Sequence, residues 1–254
     1  MIVAETVAPC RATERLKEGA PMRSVTMSIL AAVVLVIAGA WPDGLLAQSA
    51  PDPQMHLQHG QGYQHSFEDA EKWAKAFDDP ARDAWQKPDE ILNALHLKRT
   101  DRVADLGAGT GYFSVRIAKL VPDGKLFAVD IEPDMLRHLR QRAQHDNLGV
   151  LIPILASAES ANLPEPVDLV IVVDTYHHID NRVAYFSRLK ASLRPNGRLA
   201  IVDFTAASSE GPPPDHRIPS EQVTSELESA GYTLIATHTF LPRQYFLVFQ
   251  AKTS

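Results

Sequence analysis

The run Val103-Ala104-Asp105-Leu106-Gly107-Ala108-Gly109-Thr110-Gly111-Tyr112-Phe113 constrains the fold more than any other part of this chain. A short apolar stretch ends at an acidic residue, glycines alternate with small residues, and a helical pattern begins. Glycine has no Cβ, so such a turn reverses tightly and lets a ligand approach the backbone. A helix starting near Gly111 aims free N–H groups at whatever lies over the turn, which favours an anionic group there. Strand, glycine turn and helix in that order open an α/β sheet that binds a nucleotide-like molecule. The spacing argues against a dinucleotide. That fingerprint is G-x-G-x-x-G; here Tyr112 stands at its third glycine position, and Gly111 comes one residue early.

Further apolar runs follow near 125–130, 150–155, 167–173 and 198–204, separated by helical stretches. Alternation of this kind predicts βα units and a mainly parallel sheet with helices on both faces. Val167 to Val173 is almost continuously apolar, as a central strand covered on both sides requires. Pro133 falls where a first helical turn tolerates its missing N–H. The end of the chain differs. Ser220 to Ala230 reads as a helix closed by Gly231, and Tyr232–Phe240 and Gln244–Ala251 read as two strands joined by Leu241-Pro242-Arg243. That short connection predicts an antiparallel pair, with Leu234, Phe240, Tyr245, Phe246, Val248 and Phe249 in the core.

Asp105 to Gly111, DLGAGTG, resembles motif I of the class I S-adenosylmethionine (SAM) dependent methyltransferases. The likeness continues in register over residues 101–205. Asp130-Ile131-Glu132-Pro133-Asp134-Met135-Leu136 resembles the family's D-x-x-P-x-M-L run, and Asp174-Thr175-Tyr176-His177-His178-Ile179 resembles the end of its fourth strand. Leu193 to Leu199 is similar to its L-K-P-G-G-x-L turn, with Asn196, a residue tolerant of positive φ, replacing one glycine. One position departs: Ser157 stands where Ala156-Ser157-Ala158-Glu159 would carry the family's adenine-binding Asp.

The resemblance implies a Rossmann-like, seven-stranded sheet, mainly parallel, with an antiparallel C-terminal strand pair, and SAM as cofactor. By the same resemblance Asp105 and the Gly107, Ala108, Gly109 and Gly111 backbone hold the methionine end. Asp130 holds the ribose, with Ile131 beside it, Ser157 and Ala158 the adenine, and Asp174 lies near the methionyl or sulfonium end. Read without it, Asp130 is equally a strand-end acid or helix cap. Methyl transfer asks chiefly for an aligned nucleophile. Where that nucleophile must lose a proton, His177 and His178 are the candidate bases, positioned by Tyr176; their structural alternative is packing or capping of the next helix. The acceptor expected is a small molecule.

The segment before the sheet, 66–100, reads as a helical cap. Phe67–Phe77 is a helix with Ala70, Trp73 and Phe77 on one face, and Asp89–Leu97 is another. Arg82, Trp85 and Gln86, in the turn-rich stretch between them, are expected to face the pocket unless the tryptophans merely hold the cap down. His216 and Arg217 are expected near a substrate anion on position alone. The methyltransferase domain proper is 101–254. Upstream, Ile29–Ala40 is too short for a span of about 20 residues but suits a signal-peptide core. Arg23, following Met22, supplies a basic flank, and Ala47-Gln48-Ser49 a small-x-small cleavage site. Residues 1–49 therefore read as an export signal, periplasmic or membrane-associated, with membrane association through 29–40 if the segment is retained. Residues 50–65 read as a Gln/His-rich linker. His56, His59 and His65 there lack partners at ligand spacing, so no metal is expected. Cys10 is the only cysteine, which removes disulfides from the fold. A formal charge of −6 without a basic stripe argues against a nucleic-acid partner. Nothing in the sequence sets the oligomeric state.

Two other function classes share parts of this pattern. A nicotinamide oxidoreductase would show a glycine at position 112 and a Tyr-x-x-x-Lys pair, and neither is present. An exported, non-catalytic SAM-fold binding or scaffold protein is favoured by the signal-like segment and Ser157, and disfavoured by the intact cofactor motifs.

Overall fold

The computed structural model describes residues 67 and 69–252. The apolar runs form β1 (Arg102–Leu106), β2 (Lys125–Asp130), β3 (Leu151–Leu155), β4 (Val167–Val173), β5 (Leu193–Phe204), β6 (Tyr232–His238) and β7 (Gln244–Ala251). They hydrogen-bond into one seven-stranded sheet in the order β3-β2-β1-β4-β5-β7-β6. The first five strands are parallel, and β7 runs antiparallel to both β5 and β6. The chain winds outward from β1 in both directions, so a crevice opens between the carboxyl ends of β1 and β4, where open α/β sheets bind ligands. Parallel register brings those ends level: Leu106 pairs with Val129 on one side and Val172 on the other.

Side chains alternate across the sheet and fill two apolar layers. Val103, Leu126, Ile171 and Phe246 pack on one face with Ile91 and Leu95 of α3 (Pro88–Leu95), Ile117 of α4 (Ser114–Leu120) and Leu139 of α5 (Pro133–His145). Ala104, Phe127, Val170, Leu199 and Phe249 pack on the other with Phe186 of α6 (Arg182–Leu189) and Val223 and Leu227 of α7 (Ser220–Ser229). The edge strand β3 carries Pro153, whose absent N–H an edge position tolerates.

Several boundaries move from the sequence expectation. β5 starts at Leu193, absorbing the Pro195-Asn196-Gly197 turn, and Asn196 takes the expected positive φ of 65°. The first helix, α1 (Ala70–Phe77), begins after Asp69, whose carboxylate accepts the Lys72 N–H and so caps it, and the one-turn α2 (Asp83–Gln86) lies between it and α3. β6 stops at His238. No helix among the described residues is long and apolar enough to cross a membrane. The signal-like segment 1–49, the 50–65 linker, and His56, His59 and His65 lie outside the described residues.

Phe186 is fully buried and stacks on Tyr176 at 5.2 Å. Truncating it leaves a cavity between α6 and the sheet. We expect Phe186→Ala to cost about 3–5 kcal/mol, read from the shift of the urea midpoint at unchanged slope.

Candidate functional site

A cavity of about 650 Å³ opens at the carboxyl rim of the sheet, floored by the glycine turn and walled by the loops after β2, β3 and β4. The turn needs its glycines. Gly107 and Gly109 adopt φ of +79° and +53°, and a Cβ on Gly107 would meet the Thr175 side chain at 2.2 Å. Gly107 and Ala108 donate their N–H groups to the Val129 carbonyl at 2.8 and 3.0 Å, which clamps the turn to the end of β2. A Cβ on Gly109 would find only the Phe77 ring, at 3.5 Å. Beside it Thr110 lines the cavity, and its buried hydroxyl has no hydrogen-bond partner among the described residues.

Buried acids mark the ends of the strands. Asp105 on β1 accepts the Ser114 hydroxyl at 2.6 Å and is 3% exposed. Burial, reinforced by nearby Asp130, pushes its carboxyl up to about 6. Asp130 closes β2 and accepts the Gly109 N–H at 2.8 Å and the Glu132 N–H at 2.9 Å. Burial raises its pKa as well. The two N–H bonds use half of a carboxylate's roughly four acceptor sites. Ile131, 54% exposed, lines the cavity with Ala156, Ser157 and Ala158. The Ser157 hydroxyl accepts the Glu159 N–H at 3.3 Å.

The cap roofs this floor. Phe67, Trp73 and Phe77 line the cavity as one aromatic cluster, with ring centroids 5.0–5.8 Å apart. Arg142 on α5 holds the end of α1 by donating to Asp78 at 2.9 Å and to the Thr110 carbonyl at 2.9 Å. Arg82 lies over the Tyr112 ring at 4.3 Å, and Arg116 also lies 4.3 Å from that ring. Asp83 accepts from both the Tyr112 hydroxyl and Arg116.

Asp174 lines the cavity, as expected, but its oxygens are engaged by the protein itself. One accepts from Arg82 and from Gln86, each at 2.9 Å; the other accepts from the Gln244 amide. Burial raises its pKa, and Arg82 opposes the rise. Asp174 therefore joins the cap to β7. Arg82 and Trp85 do line the cavity. Gln86 corrects the expectation that it faces the pocket: it is fully buried, held between Asp174 and Gln244.

His177 and His178 line the cavity side by side, rings 4.2 Å apart. Tyr176 does not join them. The 3-10 turn Tyr176–His178 sends it into the opposite apolar layer, where its hydroxyl donates to Glu226 at 2.6 Å and Arg182 binds the same carboxylate. The expected positioning role beside the histidines is thus corrected to a core contact. Arg217 is corrected too: it donates to the carbonyls of Ala206, Ser208, Glu210 and Pro212, which shapes the loop after β5. His216 does not line the cavity.

Sequence reasoning missed Asp203 on β5. Its carboxylate contacts His177 Nδ1 at 2.9 and 3.0 Å and accepts the backbone N–H groups of His177 and Phe204 at 3.2 and 2.8 Å. The available signal was an acid at the end of an apolar strand, the pattern that singled out Asp105 and Asp130. Gln244 was also missed; it is an ordinary polar residue at a strand start, with no spacing to mark it. Among the described residues no cluster of His, Cys, Asp and Glu has metal-holding geometry.

Residues 103–197 match a family model described as a methyltransferase domain. The chain is 29% identical over 133 residues to a malonyl-[acyl-carrier protein] O-methyltransferase of Acetivibrio thermocellus, covering 52% of this chain and 46% of that one. It is 32% identical over 117 residues to a ubiquinone/menaquinone biosynthesis C-methyltransferase of Neisseria meningitidis, covering 45% and 47%. The aligned stretch spans about half the length of these curated relatives. A crystal structure of a SAM-dependent methyltransferase from Aquifex aeolicus superposes with a TM-score of 0.67 at 24% identity, over 72% of this chain and 98% of that one; it is a likeness of fold.

Two outcomes follow from this geometry. Gly107→Ala forces a Cβ into Thr175 at a positive φ, so it should lower stability by about 1–3 kcal/mol in thermal or urea unfolding. Asp105 has a folded pKa above its unfolded one, so the folded state holds its proton more tightly and stability from this group grows as pH falls from about 6 towards 4. Asp105→Asn should accordingly be more stable than the parent at pH 7 by up to roughly 3 kcal/mol. The gap should close on acidification through that window, followed by urea titrations across pH.

Proposed function

We propose that this chain, whose residues 103–197 match a methyltransferase-domain family model, transfers a methyl group from SAM to a small-molecule acceptor. The observation that carries the reading is the glycine turn: positive-φ Gly107 and Gly109, flanked by buried Asp105 and Asp130, at the carboxyl rim beneath an aromatic roof. The residues present fit the cofactor. A Cβ on Gly109 would meet no more than the Phe77 ring at contact distance, the buried Thr110 hydroxyl has no partner among the described residues, and Asp130 keeps acceptor sites beyond its two backbone bonds. Asp105 and the turn backbone would hold the methionine end, Asp130 the ribose, and Ile131, Ser157 and Ala158 the adenine.

When bound, SAM supplies an electrophilic methyl group on a sulfonium. The chain's own residues bind, orient and exclude water. Phe67, Trp73 and Phe77 line the roof, and the Arg82–Asp174 pair fixes the cap in place. Exclusion of water strengthens every polar contact inside and aligns the reacting partners. The relatives' names include both O- and C-methyltransferases, so likeness alone does not choose the acceptor atom. The same reading keeps export as a proposal, resting on Ile29–Ala40 and Ala47-Gln48-Ser49.

Calorimetric titration of the full chain with SAM and S-adenosylhomocysteine tests the cofactor assignment. Saturable binding of both is expected, and Asp130→Ala should weaken it at least about tenfold through loss of charged hydrogen bonds. A folded protein that binds neither ligand overturns the reading. Binding without turnover on any acceptor favours the scaffold alternative.

A further inference from the structure

We propose that His177 is the base, and Asp203 its positioning residue, for a planar aromatic acceptor bearing an ionisable hydroxyl, a phenol, held against Trp85 and Phe204. The inference rests on the methyltransferase reading and adds to it an acceptor class and a residue. Trp85, Phe204 and His177 form a continuous wall of the cavity. The Trp85 and Phe204 rings lie 6.0 Å apart, and the Phe204 and His177 rings 6.3 Å. The His178 ring lies 4.2 Å beyond, tilted 42° to His177. The Phe204 ring is tilted 38° to Trp85 and 60° to His177, so the wall offers aromatic faces and edges, which an aromatic molecule packs against in offset or edge-to-face contact.

Charge narrows the class further. The cavity lining carries Asp105, Asp130, Glu132, Asp174, Asp180 and Glu210. Against these stands, among the described residues, one lining guanidinium, Arg82, engaged by Asp174, the Phe77 carbonyl and Gln86. Arg243, over the Trp85 ring, is taken up by Glu210 at 2.7 Å. Among the described lining residues a carboxylate or phosphate acceptor would therefore meet an excess of acids over cations. A phenol enters neutral and becomes anionic only when its proton leaves, so it escapes that penalty.

His177 is placed to take that proton. It is 5% exposed, yet it lines the cavity. The buried Asp203 carboxylate accepts Nδ1–H, which fixes the tautomer with the Nε2 lone pair available; no described residue hydrogen-bonds Nε2. Asp203 cannot swing away, because the His177 and Phe204 backbone N–H groups hold it. Asp174, a half-buried acid near His177, is balanced by Arg82. In the step, the phenol O–H gives its proton to Nε2 and the imidazolium forms against Asp203. The phenolate oxygen then bonds to the methyl carbon as the carbon–sulfur bond breaks, leaving a neutral thioether. The proton later leaves His177 for solvent.

The test uses full-length protein saturated with S-adenosylhomocysteine, and 4-nitrophenol, whose anion alone absorbs in the visible. At a pH just below the free phenol's own ionisation, binding should produce the phenolate band. The methyl ether 4-nitroanisole, alike in shape but lacking the O–H, should bind at least about tenfold more weakly. Asp203→Asn should cut the bound phenolate fraction about tenfold while S-adenosylhomocysteine affinity stays unchanged, and Asp203→Glu should restore part of it. The inference falls if protein that binds S-adenosylhomocysteine ignores 4-nitrophenol, if the ether binds equally well, or if Asp203→Asn leaves the band intact. Should Asp203→Asn not fold, His177→Asn must abolish the band. Folded protein that fails to bind S-adenosylhomocysteine overturns the methyltransferase reading itself, and this inference with it.

Discussion

Four carboxylates lie along one rim of the parallel sheet, Asp105, Asp130, Asp174 and Asp203, at the ends of β1, β2, β4 and β5. Taking an acid out of water costs several kcal/mol unless its oxygens find partners. Each of the four is satisfied differently. Asp105 takes a serine hydroxyl, Asp130 two backbone N–H groups, Asp174 a guanidinium and two amides, and Asp203 an imidazole and two backbone N–H groups. The partners are themselves the walls of the cavity: the first helical turn, the glycine loop, the roof and the histidine turn. The need to satisfy buried charge thus organises the site.

The same requirement couples the cap to the sheet. Asp174 has a positive φ of 52°, strained for a non-glycine residue, and is held there by contacts from both the cap and β7. Removing Arg82 or Gln86 would leave a half-buried charge short of partners, so the roof is bound to the floor by an electrostatic penalty as well as by apolar contact. Asp78–Arg142 and Asp83–Arg116 repeat the arrangement nearer the surface, where solvent weakens them.

The division of His177 from Tyr176 illustrates how a local turn sorts neighbours by function. In the 3-10 turn, successive side chains leave at wide angles. Tyr176 enters the layer under α6 and α7, and His177 and His178 face the cavity. Adjacency in sequence carried no information about which of the three shared a surface. The cavity's charge likewise comes from residues spread from Asp105 to Glu210, and its character emerges only when they are assembled.

Strand number, the parallel start, the antiparallel finish, the glycine turn and the acids of β1 and β2 were legible in the sequence. They rest on local patterns: apolar periodicity, backbone freedom at glycine, and an acid at a strand end. Arg82 and Trp85 on the cavity wall were expected from the family resemblance, in which the segment before the first strand covers the site; Gln86, expected with them, is buried instead. The partnership of Asp174 with Gln86 and Gln244 was not legible, nor the pairing of Asp203 with His177, nor the burial of Tyr176 and the loop-shaping role of Arg217. Those depend on contacts between residues as far apart as Gln86 and Gln244, whose meeting is set by sheet order. Sequence determined which backbone could form and where a ligand could approach it. Tertiary structure alone decided which buried charges meet, because desolvation and hydrogen-bond partnership are properties of neighbours in space.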